Sequence, residues 1–190
     1  LTLLNPCLDL AFVTIDLVAP DSVVYVLTTS PTTFTHPAVS VVTTPVTHAL
    51  CGDATAVTAT VDGVALTAAS TPISYDDAMA TFGVFSDDPA LIGITKTVTL
   101  TVSLVDHPSL TAVETFDVEF ADPCIDPSKV TLVAQTQTNG DYFYDETDYT
   151  FVLNQPVVTP SFCQITYSCS MDAGSPRTDL CNFSAAGVSA

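Results

Sequence analysis

Strict alternation over residues 97–104 constrains this chain more than any other feature. Val98, Leu100, Val102 and Leu104 fall on one side of an extended backbone, and Thr97, Thr99, Thr101 and Ser103 fall on the other. That pattern suits a strand with one face on a core and a hydroxyl ladder in water. The same period of two, carried by Val and Thr, recurs along most of the chain, and no segment shows helical spacing of apolar residues. Strands are expected over 12–18, 22–28, 38–43, 55–61, 64–68, 78–85, 97–104 and 113–120, with Phe116, Val118 and Phe120 inward in the last. Asp62-Gly63, between two alternating runs, predicts a two-residue type I′ hairpin because both residues accept positive φ.

A repeat then divides the chain. Val118-Glu119-Phe120-Ala121-Asp122-Pro123-Cys124-Ile125-Asp126 restates the first nine residues, Leu-Thr-Leu-Leu-Asn-Pro-Cys-Leu-Asp. Each is an alternating strand end running into Asn/Asp-Pro-Cys-(Leu/Ile)-Asp. The echo continues in Val13-Thr14-Ile15-Asp16-Leu17 and Val130-Thr131-Leu132-Val133-Ala134, each beginning six residues after its cysteine. A register shared over two strands and their link marks a tandem repeat of one domain type. The expectation is an all-β chain of two β-sandwich domains, 5–121 and 122–190, the second incomplete, preceded by a spare strand at 1–4. Second-domain strands are expected over 129–135, 142–153 after an Asn139-Gly140 turn, and 163–169.

Charge and cysteine usage bound the setting. With 21 acidic residues against Lys96, Lys129 and Arg177, the net charge is −18. No basic patch can form, which excludes nucleic acid and anionic membrane surfaces as natural partners. No apolar run reaches transmembrane length, so no membrane insertion is expected. Six cysteines, none in a C-x-x-C motif, point to an oxidised extracellular or cell-surface framework. The expected pairing is Cys7 with Cys51 and, by the repeat, Cys124 with Cys163, leaving Cys169 and Cys181 to close a local loop. Cys124 with Cys169 fits nearly as well.

The run Ala80-Thr81-Phe82-Gly83-Val84-Phe85-Ser86-Asp87-Asp88-Pro89-Ala90-Leu91-Ile92-Gly93, followed by residues 97–102 and Phe116-Asp117-Val118-Glu119-Phe120, resembles the closing half of immunoglobulin-like and cadherin-like repeats. Such repeats occur in tandem arrays in secreted and surface proteins of microbial eukaryotes. The two-domain unit also resembles subunits of glycosylated extracellular fibrils from environmental samples. The resemblance implies sandwich domains; the absence of Trp departs from antibody-type domains, and the calcium motifs of adhesive cadherins are not reproduced.

Residues able to carry chemistry are few. His36, His48 and His107 stand apart, each beside Thr or Pro, with no nucleophile motif around them, so no enzyme is expected. His48 and Cys51 lack a second pair of zinc ligands at a familiar spacing. Asp87, Asp88, Asp122 and Asp126, with the pairs Asp76-Asp77 and Asp145-Glu146, are candidate calcium ligands, although adjacent loop carboxylates are more often simply solvated. No other cofactor is expected. Tyr142, Phe143, Tyr144, Tyr149 and Phe151 could form a sugar-stacking platform, but alternation makes half of them core residues by default, and a core role is the favoured one. Asn182-Phe183-Ser184 is an N-glycosylation sequon. Thr32, Thr33, Thr43 and Thr44, in the Ser/Thr/Pro-dense stretch 28–47, are candidates for O-linked sugar against an ordinary Thr-rich edge strand.

Two functional readings follow. In the first, the chain is a structural subunit of an extracellular glycosylated filament, a homopolymer assembled head-to-tail. Leu1 and Leu3, which have the phase of Val118 and Phe120, would then add as a strand to the second domain of a neighbouring copy. In the second, it is an adhesive or carbohydrate-binding repeat from a longer surface protein.

Overall fold

The computed structural model describes residues 5, 7, 11–27, 30–43, 51, 55–137, 154–167, 170–171 and 175–176. These are all-β, with single 3-10 turns at Pro89–Leu91 and Pro123–Ile125. The chain divides into two compact units, Leu1–Asp122 and Pro123–Ala190.

The first unit contains β1 (Val13–Asp16), β2 (Val23–Val26), β3 (Thr32–Thr35), β4 (Ser40–Thr43), β5 (Thr55–Val61), β6 (Val64–Ala65), β7 (Ile73–Asp76), β8 (Thr81–Val84), β9 (Thr95–Leu104) and β10 (Thr111–Ala121). One sheet runs β2-β10-β9-β5-β6 and another runs β3-β8-β7, while β1 pairs with β4. Taking β1 and β2 as two halves of a first strand, and β3 and β4 as two halves of a second, this is the strand order of an immunoglobulin-type sandwich. The first strand pairs parallel with the last, Val23↔Val118 to Val26↔Ala121; every other pairing is antiparallel.

Alternation explains the core. Val98, Leu100, Val102 and Leu104 of β9 are fully buried, as are Val118 and Phe120 of β10, while their intervening Thr, Ser and acidic neighbours face outward. The two sheets meet through aromatic rings. Phe116 of β10 is edge-on to Phe34 of β3 and Phe82 of β8, with centroids 5.7 and 5.0 Å away, and Phe34 stacks on Phe82 at 5.4 Å. Such edge-to-face geometry adds about 0.5–1.5 kcal/mol per pair beyond area burial. The β5–β6 hairpin turns on Asp62 and Gly63, at φ 52° and 77°, closing the Val61↔Val64 pair.

Several strands differ from the sequence expectation. β3 falls in the stretch read as a candidate sugar-bearing segment, and β7 was not anticipated: Ile-Ser-Tyr-Asp is too short for its alternation to stand out, although Ile73 and Tyr75 are both buried. The strand expected over 78–85 begins only at Thr81. Asp76 Oδ1 accepts the Met79 N–H at 3.2 Å, and Ala80 takes φ 51°, so residues 76–80 form the β7–β8 turn.

In the second unit, β11 (Thr131–Val133) pairs antiparallel with β12 (Val157–Thr159), and β13 (Ser170–Met171) with β14 (Ser175–Pro176). The strand expected over 163–169 is not formed over 163–167. There the Cys163 N–H bonds back to the Pro160 carbonyl at 3.2 Å in a turn, and the strand lies earlier, at β12. The expected strand over 142–153 lies outside the described residues.

Candidate functional site

Both units contain the same clamp. Cys7 is bonded to Cys51 and Cys124 to Cys163, across sequence separations of 44 and 39. Between the cysteines of each bond lies an antiparallel strand pair, β1–β4 in the first unit and β11–β12 in the second. Asn5 Oδ1 accepts the Cys7 N–H at 3.0 Å, turning the chain into the first clamp; in the second, the Pro123 carbonyl accepts the Asp126 N–H at 3.2 Å.

The two clamped pairs differ in cover. β1 comes near the closing strand β10, and Val13 and Ile15 of β1 are buried. Leu132 and Val133 of β11 and Val157 of β12 are exposed. Ile15 and Leu132 each stand eight residues after their cysteine, yet Ile15 is 9% exposed and Leu132 59%.

The acidic candidates serve their own loops. Asp88 Oδ1 accepts the Ala90 N–H at 2.9 Å and caps the 3-10 turn, and the Asp88 N–H donates to Ser86 Oγ at 3.1 Å; Asp87 beside it is exposed. Asp126 Oδ1 accepts the Ser128 N–H at 2.9 Å. Hydrogen bonds from Ser128 hold the Asp126 carboxyl below its ordinary pKa, with Lys129 acting in the same direction. Asp122 is half-buried at the end of the first unit. Among the described residues, no three His, Cys, Asp or Glu side chains gather to hold a metal ion.

His36, which stands apart from other chemistry-bearing residues in the sequence, joins two elements. Its Nδ1 is 2.7 Å from the Pro37 carbonyl and its Nε2 is 3.1 Å from the Tyr75 hydroxyl. A carbonyl can only accept, so Nδ1 carries the proton, and in the neutral ring Nε2 accepts from Tyr75. Burial, with Asp77 and Asp76 nearby, pushes the Tyr75 hydroxyl up to about 12. Thr32 and Thr33 are exposed on β3, and Thr43 ends β4. Leu1, Leu3, Thr44, His48, Asp145, Glu146, Cys169, Cys181, Asn182 and the aromatic cluster 142–151 lie outside the described residues.

No protein-family model matches the chain, and no curated protein matches it. Among solved structures it is similar to the titin domains Z1Z2 in complex with telethonin, at 18% identity and a TM-score of 0.36. That alignment covers 57% of this chain and 48% of the titin chain, about half of its length.

One further feature of the first unit has no counterpart in the sequence reading. An open groove of about 400 Å³ runs between Val18–Val23 on one side and Phe34, Thr35 and Pro37 on the other. The prolines that bound it, Pro20 and Pro37, are the only local signals that could have marked it.

Proposed function

We propose that the chain is a structural subunit of an extracellular filament, joined head-to-tail by strand addition between neighbouring copies. The observation that carries this reading is the unequal cover of two equivalent strands. In the first unit Val13 and Ile15 of the clamped pair are buried; in the second, Leu132, Val133 and Val157 are exposed. Among the described residues β11–β12 is a two-stranded ladder, which is marginal by itself, and a strand edge flanked by exposed aliphatic side chains is a ready acceptor. Strands from a neighbouring copy would supply for Leu132 the cover that Ile15 has within the first unit.

By the repeat, the donor is the segment around Leu1 and Leu3, whose phase matches Val118 and Phe120. A contact between the second unit of one copy and the leading segment of the next is heterologous, so it propagates as a filament instead of closing as a dimer. Two disulfides and the absence, among the described residues, of any helix long and apolar enough to cross a membrane are compatible with an extracellular setting. Sugar on Thr43, Thr44 and Asn182 belongs to the same proposal.

Electron microscopy and sedimentation of the purified chain test it. Filaments that disappear in a Leu1→Asp/Leu3→Asp variant are expected. Monomers alone in the unaltered chain, or filaments that survive the double substitution, would overturn it.

A further inference from the structure

The groove in the first unit is a vacated strand lane. β1 pairs antiparallel with β4 from Val13↔Thr43 to Asp16↔Ser40. Continued in the same register, it would run on beside β3 and bring Asp21 opposite Thr35. Instead the chain leaves at Val18-Ala19-Pro20 and enters the other sheet as β2, parallel to β10. Pro20 has no N–H to donate to a ladder, which favours departure at that point.

This exit leaves β3 with one ladder partner, β8, among the described residues; no strand pairs with its other edge. The open lane has a definite length. Pro31 and Pro37 flank Thr32–Thr35, so pairing is confined to about four residues, or roughly 13 Å of strand. Phe34, half-buried and stacked on Phe82, offers an apolar surface beside it.

Charge selects the occupant. Asp21 is the one charged residue among those lining the groove, and it is exposed. Next to it, Ser22 Oγ accepts the N–H of Asp117, whose exposed carboxylate accepts from Thr97 Oγ1 at 2.7 Å. Asp21 thus makes the Ser22 end of the groove negative, in a chain of net charge −18. A second copy is a poor occupant: it brings the same net charge and only three basic residues, one of which, Lys96, is 2.7 Å from Asp62.

We propose that the outer edge of β3 is an acceptor for an extended cationic segment of another protein. The segment pairs its backbone with Thr32–Thr35, sets an apolar side chain near Phe34, and places Lys or Arg toward Asp21. Backbone pairing supplies affinity, and the acidic end supplies orientation and selection. The lane lies wholly within the first unit and does not depend on filament assembly.

The test uses the full chain and the synthetic peptide Lys-Lys-Val-Thr-Val-Thr, with Glu-Glu-Val-Thr-Val-Thr as its control, followed by amide hydrogen exchange. The lysine peptide is expected to slow exchange within 32–35 and to bind more weakly as salt rises. Asp21→Lys, a change in an exposed loop, is expected to weaken binding about fivefold or more. No binding at millimolar peptide, protection confined to other strands, equal binding of the glutamate peptide, or indifference to Asp21→Lys would each overturn the proposal.

Discussion

Ile15 and Leu132 hold the same place in two copies of one motif, each eight residues after a disulfide-bonded cysteine, but only Ile15 is covered. Ile15 belongs to a unit with a packed core. β10 runs the length of the first sandwich and carries Phe116, Val118 and Phe120 into its core.

Truncating the two side chains should therefore have unlike effects. Ile15→Ala removes buried methyl groups and is expected to cost about 2–4 kcal/mol in urea unfolding of the unassembled chain. Leu132→Ala is expected to cost under about 0.5 kcal/mol in the same experiment, as a surface change. If strand addition covers Leu132, its truncation should instead slow filament growth, read by light scattering.

The clamps are expected to matter through the unfolded state. The Cys7–Cys51 bond spans a sequence separation of 44 residues, for which chain-entropy arguments give about 4 kcal/mol at 25 °C. A Cys7→Ala/Cys51→Ala variant should lose a comparable amount in urea unfolding, and a loss below about 1 kcal/mol would contradict the entropic account.

Parts of this architecture were legible in the sequence. The alternation of β9 marked its C-terminal end and its inward face because every second residue from Val98 to Leu104 is aliphatic. Its start at Thr95, two residues before the expected one, carries no such alternation. Asp62-Gly63 gave its hairpin for an equally local reason, the positive φ that the turn demands. β3 and β7 escaped because four residues carry too little periodicity, and because β3 sits among prolines and threonines that also describe a loop. The groove could not be read at all. It exists because the first strand is shared between two sheets, a long-range outcome set by the pairing of β2 with β10.

Tyr75 should make stability fall at alkaline pH. Its folded pKa, about 12, lies above the ordinary value of 10.0. The folded state therefore holds its proton more tightly than the unfolded state, and this contribution is complete below pH 10. It is lost as pH rises from about 10 to about 12. Unfolding followed by circular dichroism across this range should show the decline, and Tyr75→Phe should flatten it.

Gly83 is held close to its cross-strand neighbour Ser74. A Cβ on Gly83 would meet Ser74 Oγ at 2.6 Å, inside any ordinary contact, and Ser74 Oγ now donates to the Gly83 carbonyl at 3.4 Å. Gly83→Ala is expected to destabilise by about 1–2 kcal/mol, through crowding and loss of that bond. Removing the hydroxyl first should relieve the crowding, so Gly83→Ala should cost less in a Ser74→Ala background. A double-mutant cycle measured by thermal unfolding checks this, and strict additivity would contradict the contact.

Salt should separate the two modes of strand addition. Copies of this chain each carry −18 and repel on approach, so filament growth has to overcome a like-charge barrier. Screening shortens the reach of that repulsion to about 10 Å at 0.1 M salt, and growth should quicken from low to physiological ionic strength. The β3 lane draws its cationic segment by opposite charge near Asp21, so the same salt should weaken that binding. Light scattering and peptide titration over one salt series would read both. Growth that slows with salt would mean that an attraction not visible in this chain's composition joins the copies.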